Sequence, residues 1–190
     1  MVEIREINGQ IRIGLLDLKA FSVLNNMIVK RDIEKAGTQY LLKQVLKTET
    51  FALNYTPENK PFLDNSSEHI SITHSHDKLA IILNKKEPTG IDIELIRDKV
   101  KNIQHKFLNK NEQRFANNDV DKLLTFWAAK EALYKVYGLK EVDFSLHLFV
   151  KEFEGTEMLG RIELKGFSKS YRLRNETIDN YKMVYVLNEI

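Results

Sequence analysis

Two long segments with helical periodicity constrain the fold of this 190-residue chain more than any other feature. In the first, which begins near Asp32, apolar side chains recur on one side of a helix; they are Ala36, Tyr40, Leu41, Val45 and Leu46. The second extends from about Val120 to Tyr137, and Gly138 after it is a common signal for the end of a helix. Segments of strand character surround both helices. This order predicts an α+β fold.

The strand segments are recognised by apolar residues that alternate or cluster between turn residues. They are residues 2–14 with a turn at Asn8-Gly9, then 51–55, 70–73, 79–83, 90–95, 144–150, 160–164, 170–173 and 182–187. Residues 100–107 also have helical character, and Asn109 with Glu112 three positions later resembles a capping box. Each half of the chain therefore contains helices followed by strands. We expect two similar lobes, residues 1–88 and 89–190.

The composition excludes several kinds of site. The absence of cysteine rules out disulfides, thiolate zinc sites and a cysteine nucleophile. The longest purely apolar run, Leu79 to Leu83, is far shorter than the roughly 20 residues of a membrane span. A net charge of +2 is too small to indicate a nucleic-acid partner. Because the N-terminus lacks a signal-like apolar core, we expect a cytoplasmic protein.

The segment Gly90-Ile91-Asp92-Ile93-Glu94 is the first candidate for chemistry. On a strand, Asp92 and Glu94 point to one side while the isoleucines point to the other. Two neighbouring carboxylates repel each other unless a cation lies between them, and Mg²⁺ prefers such hard oxygen ligands. The alternative is an edge strand with a solvated acidic face, which is the more common explanation of an isolated Asp-x-Glu pattern.

The second candidate lies within the later helix. Trp127, Glu131 and Lys135 are spaced four residues apart and share a helix face. Taken alone, this pattern is better explained by a surface Glu-to-Lys pair that contributes about 0.3 kcal/mol, with Trp127 in the core.

Together, the two segments resemble the signature of the 4′-phosphopantetheinyl transferase superfamily. Gly-Ile-Asp-Ile-Glu is followed some 35 residues later by Trp-x-x-Lys-Glu-x-x-x-Lys, and the resemblance is to the longer, single-chain, two-lobed branch. Further matching segments are Asn59-Lys60-Pro61, Ile70 to Ser75 and Lys106 to Glu112. Asn59 replaces the glycine that is usual in this family, and asparagine tolerates the positive φ of such a turn.

The resemblance implies an enzyme that transfers phosphopantetheine from coenzyme A to a serine of an apo acyl or peptidyl carrier protein. It implies Mg²⁺ on Asp92, Glu94 and Glu131, and catalytic roles for Glu131 and Lys135. It places His74, Lys60, Arg31, Thr38 and Lys130 near coenzyme A. It further implies a monomer whose pseudo-twofold lobes enclose the active site in a cleft, and a role in fatty acid or secondary metabolite biosynthesis.

Two other functions remain open at this point. One is a relative that binds coenzyme A and a carrier without efficient transfer, and the other is a different Mg²⁺-dependent phosphohydrolase. For the carrier itself, we expect docking on the segment Lys99 to Phe115, with Phe107, Leu108 and Phe115 as apolar anchors.

Overall fold

The computed structural model describes residues 2–64 and 66–190, which form two compact units, Met1–Pro88 and Thr89–Ile190. Both units combine helices with antiparallel sheets, so the predicted α+β class is confirmed. The pseudo-twofold relation between lobes stays a prediction. None of the helices within the described ranges has the length and apolar content that crossing a membrane requires.

The first unit is built on a four-stranded antiparallel sheet. Its elements are β1 (Val2–Ile7), β2 (Ile11–Asp17), α1 (Leu18–Leu24), α2 (Lys30–Leu46), β3 (Leu53–Tyr55), β4 (Pro61–Leu63), β5 (His69–Ser75) and β6 (Lys78–Asn84). The sheet order is β1-β2-β6-β5, while β3 and β4 form a separate two-stranded sheet. Leu41, Leu42 and Val45 of α2 are fully buried in the core of this unit. The predicted turn at Asn8-Gly9 joins β1 to β2, and both residues have positive φ.

The second unit contains a five-stranded antiparallel sheet. It comprises β7 (Ile91–Leu95), two short 3₁₀ helices (Asp98–Asn102 and Gln104–Lys106), α3 (Lys110–Ala116), α4 (Val120–Tyr137), α5 (Phe144–His147), β8 (Leu148–Val150), β9 (Glu157–Leu164), β10 (Phe167–Ile178) and β11 (Tyr181–Glu189). The order is β7-β11-β10-β9-β8, so β7 and β8 are the edge strands. Helix α4 packs on β7 and β11, and its apolar side fills the core of the unit.

Helix boundaries in this unit follow from local capping. Asn109 and Glu112 form the predicted capping box at the start of α3, and α4 ends at Gly138 with a φ of 70°. The prediction of a strand over residues 144–150 was wrong in its first half. The Asp143 carboxylate accepts hydrogen bonds from the N–H groups of Ser145 and Leu146, and this cap starts the short helix α5 before β8 begins.

Candidate active site

Strand β7 and helix α4 lie in direct contact at the candidate site. Gly90, immediately before β7, has no Cβ, and a Cβ there would overlap the Ala132 carbonyl oxygen of α4 and lie 3.2 Å from Cγ2 of Val136. Glycine therefore permits an approach between backbone and backbone that any side chain would prevent. The close contact brings the carboxylates of β7 against the side chains of α4.

Asp92 is buried at this contact, with 4% of its surface exposed. Its Oδ1 accepts a hydrogen bond of 2.7 Å from Nζ of Lys135, which also donates to the Ile91 carbonyl oxygen at 2.9 Å. A solvated acidic edge strand does not describe Asp92, since both faces of β7 are covered at this residue and its two isoleucine neighbours. Lys135 pairs with Asp92 across the two elements instead of forming a surface pair with Glu131.

Glu94 is half-buried and points to the same face of the strand. Its Oε1 accepts a hydrogen bond of 3.0 Å from the indole Nε1 of Trp127 on α4. Asp92 and Glu94 thus each receive a hydrogen bond from the same helix, as expected for alternate positions of one strand. A tryptophan in this motif is therefore more than a core residue, because its one polar group holds a carboxylate.

Glu131 lies between Trp127 and Lys135 along α4 and interacts electrostatically with both carboxylates of β7, Asp92 and Glu94. Burial raises the pKa of Glu131 to about 7; the negative charges of Asp92 and Glu94 add to the rise, and Lys135 opposes it. Three carboxyl groups from two elements thus interact electrostatically in a poorly solvated place. This is the kind of environment that shifts the pKa of functional carboxyl groups.

The donor chemistry of this cluster fits a magnesium ion. Asp92, Glu94 and Glu131 offer only carboxylate oxygens, which Mg²⁺ prefers. Burial is the main cause of the raised pKa of Glu131, and a divalent cation would offset the repulsion from Asp92 and Glu94 that adds to it. Across residues 2–64 and 66–190, no three His, Cys, Asp or Glu side chains are gathered closely enough to form a complete metal site. In this structure, Lys135 and Trp127 occupy hydrogen-bonding positions on Asp92 and Glu94.

A cavity of about 180 Å³ opens beside Glu94 and Trp127. Its wall is largely apolar, and it includes Leu95, Ile103 and Leu124, while Arg97 and Lys99 contribute positive charge. The 3₁₀ helices after β7 thus place exposed basic side chains next to the carboxylate cluster. An anionic ligand at this position would meet favourable electrostatic potential.

Comparison with known families agrees with this arrangement. A family model described as the 4′-phosphopantetheinyl transferase superfamily matches residues 88–186, which is more than half of the chain and includes β7 and α4. The chain belongs to this superfamily. The family assigns it to the transferases of the phosphopantetheine group. No curated protein matches the chain.

Of the residues that superfamily resemblance placed near coenzyme A, Lys130 lies elsewhere in the structure. It is fully buried on α4, forms an ion pair of 2.6 Å with Glu112, and donates to the carbonyl oxygens of Phe107 and Phe144. These three contacts use the three N–H donors of the ammonium, so Lys130 has none left for a phosphate. The prediction that Lys130 lies near coenzyme A is therefore corrected: Lys130 connects buried segments of the second unit.

Two of the predicted docking anchors are also corrected. Phe107 and Leu108 are 0% and 2% exposed and belong to the core, so they offer no surface to a carrier protein. Phe115 is half-buried. The basic side chains of the same segment are exposed, so a partner protein would contact positive charge on this surface. These side chains are Lys99, Lys101, Lys106, Lys110 and Arg114.

In the first unit, His74 of β5 and Thr38 of α2 both lie near Glu34. Nδ1 of His74 is 3.4 Å from Oε1 of Glu34, and the Thr38 hydroxyl donates to the Glu34 carbonyl oxygen at 2.8 Å. Arg31 is exposed in the first turn of the same helix. The fold therefore gathers three of the predicted coenzyme A residues around the N-terminal turns of α2 and the adjacent strand.

Lys60 lies in the connection between β3 and β4. Burial lowers its pKa, and the connection is closed by hydrogen bonds between Thr56 and Lys60 and from Asn59 to Thr56. Asn59 has a φ of 67°, as expected for a residue that replaces glycine in this turn. The turn is thus preserved despite the substitution.

Proposed function

We propose that the chain transfers 4′-phosphopantetheine from coenzyme A to a serine hydroxyl of an apo acyl or peptidyl carrier protein, with Mg²⁺, and releases 3′,5′-ADP. The observation that carries the proposal is the contact between β7 and α4, in which Lys135 donates to Asp92 and Trp127 donates to Glu94 within the region that matches the superfamily. In this proposal Asp92, Glu94 and Glu131 hold the metal.

The reaction is a displacement at phosphorus. The serine oxygen forms a bond to the β-phosphorus of coenzyme A, the bond from that phosphorus to the bridging oxygen breaks, and 3′,5′-ADP leaves with the electron pair. When bound, Mg²⁺ supplies positive charge that neutralises the phosphate oxygens. In this proposal the serine proton passes to the Glu131 carboxylate or to a water molecule beside it.

Lys135 supplies a positive charge that the fold fixes in place. Its ammonium is held between the Asp92 carboxylate and the Ile91 carbonyl oxygen, at the same strand as two of the three carboxylates. A prearranged cation at this position stabilises negative charge that develops on the leaving phosphate without any reorganisation.

For coenzyme A, we propose that His74, Arg31 and Thr38 contact the 3′-phosphate and that Lys60 lies near the cofactor. His74 has a half-exposed side chain and Arg31 is exposed, so both are accessible to a ligand. The chain would act as a cytoplasmic monomer of the two-lobed branch. The exposed basic side chains of Lys99 to Arg114 would attract a carrier protein with acidic surface near its serine.

The test is incubation of the protein with coenzyme A, MgCl₂ and an apo carrier protein, followed by mass spectrometry of the carrier. A gain equal to one phosphopantetheine arm supports transfer. Binding of coenzyme A with no gain favours a carrier-binding scaffold, and release of phosphate from simple esters favours a phosphohydrolase.

Asp92→Ala is the informative variant in this assay. It removes one proposed metal ligand, and loss of such a contact typically lowers a rate by about 10²- to 10³-fold. We expect a fall of that order with a retained cooperative melting transition. A variant that transfers at nearly the normal rate with an unchanged Mg²⁺ dependence would show that the acidic strand has no part in the reaction.

A further inference from the structure

The buried ion pair between Glu112 and Lys130 connects several segments of the second unit. Oε2 of Glu112 accepts from Lys130 at 2.6 Å and from the N–H of Asn109 at 2.9 Å, while Oε1 accepts from the N–H of Val150 at 3.0 Å. One carboxylate thereby joins the start of α3, the middle of α4 and the edge strand β8. Glu112 is 4% exposed and Lys130 is 0% exposed, so solvent screens this pair very little.

The ammonium of Lys130 also fixes two backbone positions on either side of it. It donates to the carbonyl oxygen of Phe107 at 2.7 Å and to that of Phe144 at 2.9 Å. These residues come from different segments, the end of the second 3₁₀ helix and the start of α5. The position of both phenylalanine backbones is therefore tied to one atom of α4.

The rings of the same two phenylalanines contact the indole of Trp127. The Phe107 ring meets it at 5.1 Å in an edge-to-face arrangement of 74°, and the Phe144 ring meets it at 5.8 Å and 31°. Such contacts contribute about 0.5–1.5 kcal/mol each and restrict the orientation of the ring. The indole N–H then donates to Glu94, the second carboxylate of β7.

We propose that the Glu112–Lys130 ion pair is a positioning device for Glu94, acting through Phe107, Phe144 and the Trp127 indole. This inference rests on the proposed function in one respect, namely that Glu94 is one of the residues that hold the metal. Neither Glu112 nor Lys130 contacts the carboxylate cluster through the hydrogen bonds described above, so the pair acts by geometry.

Energetics favour a geometric role over a stabilising one. Desolvation of a buried ion pair offsets most of its attraction, and replacing both partners by neutral side chains of similar volume is often close to neutral for stability. Methionine at position 130 would fill the space of the lysine stem but would hold neither carbonyl oxygen. Removal of a partner that orients a metal ligand typically lowers metal affinity or activity about 10- to 100-fold.

The test uses the single tryptophan of the chain as a probe. The ¹⁵N–¹H signal of the Trp127 indole is recorded without coenzyme A, metal or carrier, together with its exchange with solvent. The variant is Glu112→Gln with Lys130→Met, which removes both charges and leaves an acceptor for the Val150 N–H. The matched control is Glu68→Gln with Arg12→Met, because those residues form a largely buried ion pair of 2.6 Å in the first unit.

We expect the Glu112/Lys130 double variant to melt cooperatively while its indole signal shifts and its indole N–H exchanges faster with solvent, whereas the control keeps the wild-type signal. In the transfer assay, the Mg²⁺ concentration for half-maximal rate should rise about tenfold or more, with the carrier KM unchanged. An unaltered indole signal in a folded double variant overturns the proposal.

A second variant decides the matter if the double variant does not fold. Phe144→Leu keeps the ion pair and removes one of the two rings that contact the indole, so the indole N–H should exchange with solvent faster than in the wild type. An unchanged exchange rate in this variant overturns the proposal independently. If the wild type transfers nothing, the proposed function fails, but the indole measurement still decides the positioning role of the ion pair.

Discussion

Replacing Glu131 by glutamine should change the pH dependence of stability of the metal-free protein. Burial and the charges of Asp92 and Glu94 raise the pKa of Glu131 from 4.5 to about 7. Since one pKa unit corresponds to about 1.4 kcal/mol, the full shift corresponds to about 3 kcal/mol, and residual solvent contact reduces the expected value to about 2 kcal/mol. Glutamine serves as a permanently uncharged carboxyl group of nearly the same shape.

The sign follows from linkage. Because the folded-state pKa lies above the unfolded-state value, the wild type gains stability from protonation of Glu131 below pH 4.5 and loses it as the pH rises through about 7. Near pH 5, Glu131→Gln and the wild type should therefore unfold at similar temperatures. Near pH 8.5, the wild type should be less stable by about 2 kcal/mol, or roughly 4–8 °C for a protein of this size.

The assay is thermal unfolding of both proteins in EDTA from pH 5 to pH 8.5, repeated with excess MgCl₂. Added Mg²⁺ should stabilise the wild type most at high pH, where Glu131 is charged, and should stabilise Glu131→Gln far less. A difference in stability between the two proteins that stays constant across this pH range in EDTA would refute the idea that Glu131 is held near other carboxylates in a poorly solvated place.

Three further substitutions test other contacts. Gly90→Ala forces a Cβ against the Ala132 carbonyl oxygen, and we expect the free energy of unfolding to fall by about 1–3 kcal/mol. Because a displacement of about 1 Å in a site can lower a rate about 10²-fold, the transfer rate should fall by about that factor. Lys135→Met removes the ammonium from Asp92; calorimetric titration with MgCl₂ should show undiminished affinity while the transfer rate falls at least about tenfold. His74→Ala should weaken binding of coenzyme A much more than binding of 3′-dephospho-coenzyme A, and equal weakening would contradict contact with the 3′-phosphate.

Local sequence signals were sufficient for most of the helices and strands. The capping box at Asn109 and the glycine after α4 are local devices whose effect needs no knowledge of the rest of the fold, and both were recognised. The segment 144–150 was misassigned because its apolar residues are compatible with a strand, while the decisive interaction comes from the side chain of Asp143 just before it. The N-cap formed by Asp143 therefore determined the local structure more strongly than the apolar pattern of the residues after it.

The contents of the candidate site were only partly predictable. Alternation on a strand correctly placed Asp92 and Glu94 on one face, because strand geometry determines that result. Helical spacing already favoured Lys135, which shares a face with Glu131, but the sequence pattern could not predict which groups either lysine contacts. Their difference is tertiary: Lys130 meets two carbonyl oxygens from distant segments, whereas Lys135 faces Asp92.

The two edges of the five-stranded sheet have consequences for solubility. An exposed edge strand can pair with a strand of another molecule and begin aggregation. Here the Ile91 carbonyl oxygen of one edge strand is bonded to Lys135, and the Val150 N–H of the other is bonded to Glu112. These side chains therefore occupy backbone groups that a foreign strand would otherwise use. Substitution of either residue should make the protein more prone to self-association on heating, so the side chains that arrange the site also protect the sheet from incorrect pairing.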